Sequence, residues 1–294
     1  MKEQILKYNN RLDGIKEKLN IRHVRVIVFL IILTAQIGLM IFWAEEKSNY
    51  FIDELYSYGY AHSYTFDKSH KRYITQSDDW QYEKWIDNEV LKEKLEVKKE
   101  ESLLSRPFFT AVRMLLTRRN HQGILNILMS ILSPGRISKV PGIILNLIIF
   151  ALTQIVLYKM GKEMTESPCI ALLIILMYGF SAIAIGNSIY IRFYALVILL
   201  LLLVFRLHQK MWYTVSSFRN EGYIILSIGL IYLAIKNSEL VFILAGTLIP
   251  VFFCALLVKR DSKKATQYLI SIVPLCAFYA CKKTDYVDII LHPS

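Results

Sequence analysis

The strongest constraint on this chain is a run of residues that water would reject. Across residues 24–44 the only polar members after Arg25 are Thr34 and Gln36. A helix rises about 1.5 Å per residue, so roughly 20 residues cover a hydrocarbon layer about 30 Å thick. Backbone in lipid must satisfy its own hydrogen bonds, so such a run is helical. Further apolar segments fall at about residues 124–132, 142–160, 170–187, 193–207, 223–235, 240–258 and 268–281. Together they predict an all-α fold, a polytopic transmembrane helical bundle of about seven or eight membrane segments. Its first outer loop is large and partly helical. Hydrophobic residues make up 54% of the chain, and mean hydropathy is +0.38.

Charge sets the expected sidedness. The formal net charge is +11, which the positive bias of cytoplasmic loops accounts for without a nucleic-acid partner. Lys2, Lys7, Arg11, Lys16, Lys18 and Arg22 precede the first span. Residues 1–23 therefore read as a cytoplasmic basic segment, folded as a short surface helix. Residues 24–44 read as the first, retained transmembrane helix. Residues 45–120 are an exoplasmic loop rich in Tyr and Trp, with an exposed helix at 90–102 and a membrane-lying one at 107–117. Residues 121–281 form the bundle and 282–294 a short outer tail. Lys159, Lys162, Arg206, Lys210, Arg219, Lys259, Arg260, Lys263 and Lys264 all fall on the cytoplasmic side of this scheme. Segment 124–132 is too short to cross about 30 Å. It is either re-entrant, or it uses the preceding residues to cross and the sidedness around it differs; the basic stretch Arg136 to Lys139 argues for the second.

The four cysteines, Cys169, Cys254, Cys276 and Cys281, form no CxxC pair and read as inert apolar-segment thiols. No P-loop, GxGxxG, HExxH or nucleophile elbow is present, which argues against soluble-type ATPases, dehydrogenases, zinc proteases and hydrolases.

Three polar groups on the expected outer face could carry chemistry. Asp53 and Glu54 lie in Phe51-Ile52-Asp53-Glu54-Leu55-Tyr56-Ser57-Tyr58-Gly59. A carboxylate there can take a proton from an acceptor hydroxyl, or hold a divalent cation, Mg or Mn, on Asp53. A helix cap is the plainer alternative. Arg192 and Tyr194 lie in Ile191-Arg192-Phe193-Tyr194-Ala195, between two apolar segments. A guanidinium suits a phosphate, and a charge near membrane depth is a functional signal by default. A span-ending, snorkelling Arg is the plainer reading. His121 follows Arg118 and Arg119 where the loop returns, and can donate to a lipid phosphate. Lys236-Asn237-Ser238-Glu239 reads as a tight outer turn.

In this order these stretches resemble the GT-C class of integral-membrane glycosyltransferases, in its mannosyltransferase-like and aminoarabinose-transferase-like branch. The matching stretches are Asp53 to Gly59, His121 with 124–132, residues 138–161, and Ile191 to Leu196. The chain differs at His121-Gln122-Gly123, where the class has His-Pro-Pro. The resemblance implies a polyprenyl-phosphate-linked sugar donor, transfer on the outer face, and a bacterial plasma-membrane location. It implies Asp53, with Glu54 beside it, as base or metal partner, and Arg192, Tyr194 and His121 at the donor phosphate. The acceptor would be an envelope glycan, lipid or protein. The alternative is a non-catalytic membrane protein that binds or translocates lipid-linked saccharide. Membrane lipids are partners in either case.

Overall fold

The computed structural model describes residues 2–47, 50–51, 54, 57, 123–132, 138–214, 217–238 and 240–282, with residues 2–22 and 274–282 as backbone alone. Asp53, His121, Glu239, the loop helices expected at 90–102 and 107–117, and the tail from 283 onward lie outside the described residues.

Every regular element among the described residues is a helix. In order these are α1 (Lys2–Glu46), α2 (Gly123–Leu132), α3 (Lys139–Thr165), α4 (Pro168–Gly179), α5 (Ala182–Ile189), α6 (Tyr194–Tyr213), α7 (Ser217–Asn237), α8 (Leu240–Val258) and α9 (Ser262–Lys282). Each apolar segment read from the sequence coincides with one helix or a bent pair. The basic N-terminal stretch differs from expectation. It does not form a separate surface helix but continues without a break into the first span. Residues 15–25 contain neither proline nor glycine, so nothing in them stops the helix.

Among the described residues, four helices are long and apolar enough to cross a membrane: the part of α1 from His23 to Glu46, α3, α6 and α8. The pair α4–α5, bent by 59°, makes a fifth if it is one span. α7 and α9 are of spanning length, 21 residues each, but fall short in apolarity. In α7, Asn220, Glu221, Lys236 and Asn237 crowd the two ends. The described structure thus supports four or five spans, against the seven or eight membrane segments expected.

The caps follow from sequence. Ser138 accepts a hydrogen bond from Val140 N to open α3, and Pro141 sits harmlessly in that first turn. Ser167 and Pro168 open α4. Ser181 caps α5 through Ala184 N at 3.2 Å, which is why the apolar run 170–187 breaks there.

Side chains are distributed inside out relative to a water-soluble protein. Ile31, Ile144, Ile148, Ile225, Ile243 and Val251 are exposed. Gln36, Asn146, Thr153, Gln154, His208 and Asn237 are buried. Lipid-facing surface has no use for polar groups, so the polar groups turn inward and pair with one another and with backbone. Gln154 Nε2 donates to Gln36 Oε1 at 2.8 Å, and Gln36 Nε2 donates to Ile175 O at 2.9 Å, stitching α1, α3 and α4 together. Gly179 makes this possible, because a Cβ there would collide with both glutamines. His208 on α6 meets Val204 O and the Tyr268 hydroxyl of α9, each at 2.8 Å.

The helix ends fix a sense of direction. Lys139 Nζ, at the start of α3, donates to Ala44 O at 3.2 Å and Lys47 O at 2.6 Å, at the end of α1. The chain therefore leaves α1 and enters α3 at the same end of the bundle. α2, 10 residues long, packs on α3 and α7. Its buried Leu125 and Met129 share a core with Ile191 and Phe193, at this same end. At 10 residues α2 is too short by itself to cross about 30 Å.

Candidate functional site

The site is built where α1, α3, α5 and α6 end or begin together. Four residues, Tyr190 to Phe193, join α5 to α6. Arg192 N donates to Tyr190 O at 2.8 Å, a tight reversal that turns the chain from one helix into the next. α3 supplies a seat for it. Asn146 Nδ2 donates to Tyr190 O at 2.8 Å, satisfying a carbonyl that the break between helices exposes. One turn earlier, Gly142 leaves room for the Ile191 side chain. A Cβ on Gly142 would lie 2.5 Å from Ile191 Cγ2. Gly142 and Asn146 are four residues apart, so both face the same neighbour.

Glu54 reaches the turn from the other side. Its carboxylate is fully buried, and Oε1 accepts the Ile191 amide at 2.6 Å. Oε2 accepts the Phe51 amide at 2.8 Å, a local loop that holds the carboxylate in place. Lys47, one residue past α1, is ion-paired to Glu54 and also donates to Ile189 O at 3.0 Å. A buried carboxylate needs both a countercharge and donors for its remaining lone pairs. Here Lys47 and two backbone amides supply them. Burial pushes the Lys47 ammonium below its ordinary range, opposed by the Glu54 charge that favours the protonated form.

Aromatic rings surround the cations. Lys47 Nζ lies 5.8 Å from the Tyr190 ring centre and 6.0 Å from that of Tyr50. Arg192 Cζ lies 5.3 Å from the Phe193 centroid and 5.9 Å from that of Tyr194. Tyr190 and Tyr194 stack at 6.0 Å. The ring faces are partially negative, so they offset part of what burial costs these cations.

Of the residues singled out from sequence, Glu54, Arg192 and Tyr194 are thus gathered at one end of the bundle. Glu54 contacts the very turn that carries Arg192. Asp53 and His121 lie outside the described residues. The turn at Lys236-Asn237-Ser238 is present at this end too, closed by Ser238 N on Ala234 O at 2.9 Å. Among the described residues no three His, Cys, Asp or Glu side chains are gathered in a way that would hold a metal ion. Cys169 and Cys254 are free thiols.

Sequence reasoning missed Lys47, Lys139, Gly142 and Asn146. Asn146 carried a usable signal, being a lone amide inside the apolar run 142–160. Lys47 and Lys139 carried none, since both sit among other charges beside a span. No family model, curated protein or solved structure matches the chain.

Proposed function

We propose that the chain is a membrane glycosyltransferase of the GT-C kind, which moves a sugar from a polyprenyl-phosphate donor to an envelope glycan, lipid or protein. One observation carries the reading. Glu54 of the first loop meets the arginine turn between α5 and α6, its Oε1 accepting from Ile191 N at 2.6 Å. They are 137 residues apart in sequence.

In this reading the residues divide the work. Asp53, next in the chain to Glu54, takes the proton from the acceptor hydroxyl as that oxygen bonds to the anomeric carbon. The bond from that carbon to the phosphate oxygen breaks, and charge grows on the leaving phosphate. Arg192 holds that phosphate, with Tyr194 beside it and His121 donating. A fixed guanidinium in a place of low dielectric stabilises the growing charge more than the ground state. Glu54, with its oxygens already engaged, holds the Arg192 turn in register with Asp53. A Mg or Mn ion on Asp53 would help neutralise the phosphate.

α7 and α9 count as crossings, giving seven membrane segments with α2 at the surface. The end that carries Lys162, Arg206, Lys210, Arg219, Lys259 and Lys263 faces the cytoplasm of a bacterial plasma membrane, by the positive-inside rule. The N-terminus lies on that side.

The test is transfer of radiolabelled sugar from polyprenyl phosphate in membranes containing the chain. Asp53→Asn and Arg192→Gln should each lower transfer by about 10²- to 10³-fold, the usual cost of losing one transition-state contact. Insertion and expression should persist. Unchanged transfer with either substitution overturns the reading. Retained donor binding with no transfer by the unmodified chain would establish the lipid-saccharide binding protein instead.

A further inference from the structure

At the opposite end of the bundle, one length of α6 away from Arg192, a separate cavity of about 370 Å³ opens between α6, α7 and the α8–α9 turn. This is within the usual range for small-ligand sites. Trp212, Tyr213, Asn220, Lys259, Asp261, Lys263, Lys264 and Gln267 line it. It shares no residue with the Glu54–Arg192 site.

The walls are shaped by the turn. α8 ends with Asp261 N on Leu256 O at 3.1 Å and Arg260 N on Leu257 O at 2.9 Å, with Arg260 at φ 59°. This is the two-bond reversal that normally wants glycine at its left-handed position. Asp261 then caps α9 by accepting from Lys264 N at 3.3 Å. Three lysines are thereby set on one rim against a single carboxylate. Lys264 Nζ pairs with Asp261 at 3.0 Å. Lys259 Nζ donates to Trp212 O at 2.8 Å and stands 4.4 Å above the Trp212 ring. Its remaining N–H donors are available to the cavity, as are those of the exposed Lys263.

One polar atom in the wall is unanswered. Asn220 is 2% exposed, and its Nδ2 reaches Gln267 Oε1 at 3.4 Å. Its Oδ1 is buried with no hydrogen-bond partner. Asn220 belongs to the cavity lining, and a donor from the occupant, reached by a small shift of the amide, would answer that acceptor. The occupant therefore carries negative charge for the lysines and a hydroxyl for Asn220. The amphipathic rings of Trp212 and Tyr213 belong at the level of lipid headgroups. The nearby α8 surface, with Val258 and Leu257 exposed, is apolar enough to border acyl chains.

We propose that this cavity binds the headgroup of an anionic phospholipid bearing a free hydroxyl, such as phosphatidylglycerol. The phosphodiester is held by Lys259, Lys263 and Lys264, and the hydroxyl donates to Asn220 Oδ1.

The test uses the full chain purified in an uncharged detergent. It is titrated with dihexanoyl phosphatidylglycerol, dihexanoyl phosphatidylcholine and sn-glycerol 3-phosphate, with bound ligand read by native mass spectrometry. The expected result is phosphatidylglycerol bound at least about tenfold tighter than phosphatidylcholine, with glycerol 3-phosphate failing to compete at equal concentration. Lysines near a membrane surface each contribute about fivefold. Lys259→Gln with Lys263→Gln should then weaken binding about 25-fold. Lys263→Gln alone changes an exposed side chain, keeps the fold, and should weaken binding about fivefold. Asn220→Leu should weaken phosphatidylglycerol binding as well. Equal affinity for phosphatidylcholine, or unchanged binding in Lys263→Gln, overturns the proposal. Competition by glycerol 3-phosphate overturns the lipid as the source and leaves a soluble phosphate ester.

Discussion

The two ends of the bundle handle charge in opposite ways. At one end Glu54 is fully buried, and Lys47, Ile191 N and Phe51 N answer its oxygens. At the other end Lys259 and Lys263 are exposed, and the Lys264–Asp261 pair lies between adjacent turns of one helix start. The first arrangement joins parts of the chain that are far apart in sequence and must be complete to be tolerated. The second is local, screened by water, and open to a ligand. Buried charge fixes structure, whereas exposed charge is free to bind.

The largest expected effect is at the buried end. Lys47→Met leaves a desolvated carboxylate without its cation, and should destabilise the chain by about 3–5 kcal/mol. Thermal unfolding in detergent, followed by loss of the monodisperse species, measures this. Adding Glu54→Gln should restore part of the loss, because the uncompensated charge is gone. Equal melting of Lys47→Met and the unmodified chain would erase the contrast between the ends, since Lys264→Met should cost under about 1 kcal/mol.

Next in size is Gly142→Ala. The new methyl meets Ile191, and overpacking of this kind costs about 1–3 kcal/mol. On the proposed transferase reading it should also depress sugar transfer more than the loss of stability alone explains, because the displaced segment carries Arg192. A matched loss of both would place Gly142 in the packing alone.

A gain is expected at the open end. Arg260 sits at φ 59°, a conformation that glycine adopts without strain. Arg260→Gly should raise stability by up to about 1 kcal/mol, as read by the same unfolding assay.

The smallest effect is in pH. A hydrogen bond from Lys264 holds the Asp261 carboxyl below its ordinary value of 3.8. A lowered carboxylate stabilises the fold above the unfolded value, and the contribution fades as pH falls through the lower folded one. Solvent screens this group, so the change below about pH 4 should stay under roughly 1 kcal/mol. Asp261→Asn should flatten it.

Much of the helical layout is legible in the sequence. Seven apolar segments gave the positions of α2 to α9, because hydrophobicity is a property of each short stretch of chain. The serine caps at 138, 167 and 181 are equally local, each acting on an amide two or three residues away, and went unread in the sequence. The number of crossings was less legible. In α7 the charges and amides at its ends offset its apolar middle, and the α4–α5 break at Phe180 and Ser181 sits inside what reads as one run.

The candidate site divides the same way. Two of its residue types, an acid after the first span and an arginine in the short break between two apolar runs, can be picked out in the sequence because a charge near membrane depth is costly. Their partners cannot. That Glu54 accepts from Ile191, that Lys139 closes the end of α1, and that Asn146 seats Tyr190 are matters of which helices lie side by side. Hydropathy says only that a segment is buried in lipid. It is silent on its neighbour, because in a membrane almost any apolar surface will do, and the choice falls to a few polar contacts and glycine clearances that exist only once the bundle has formed.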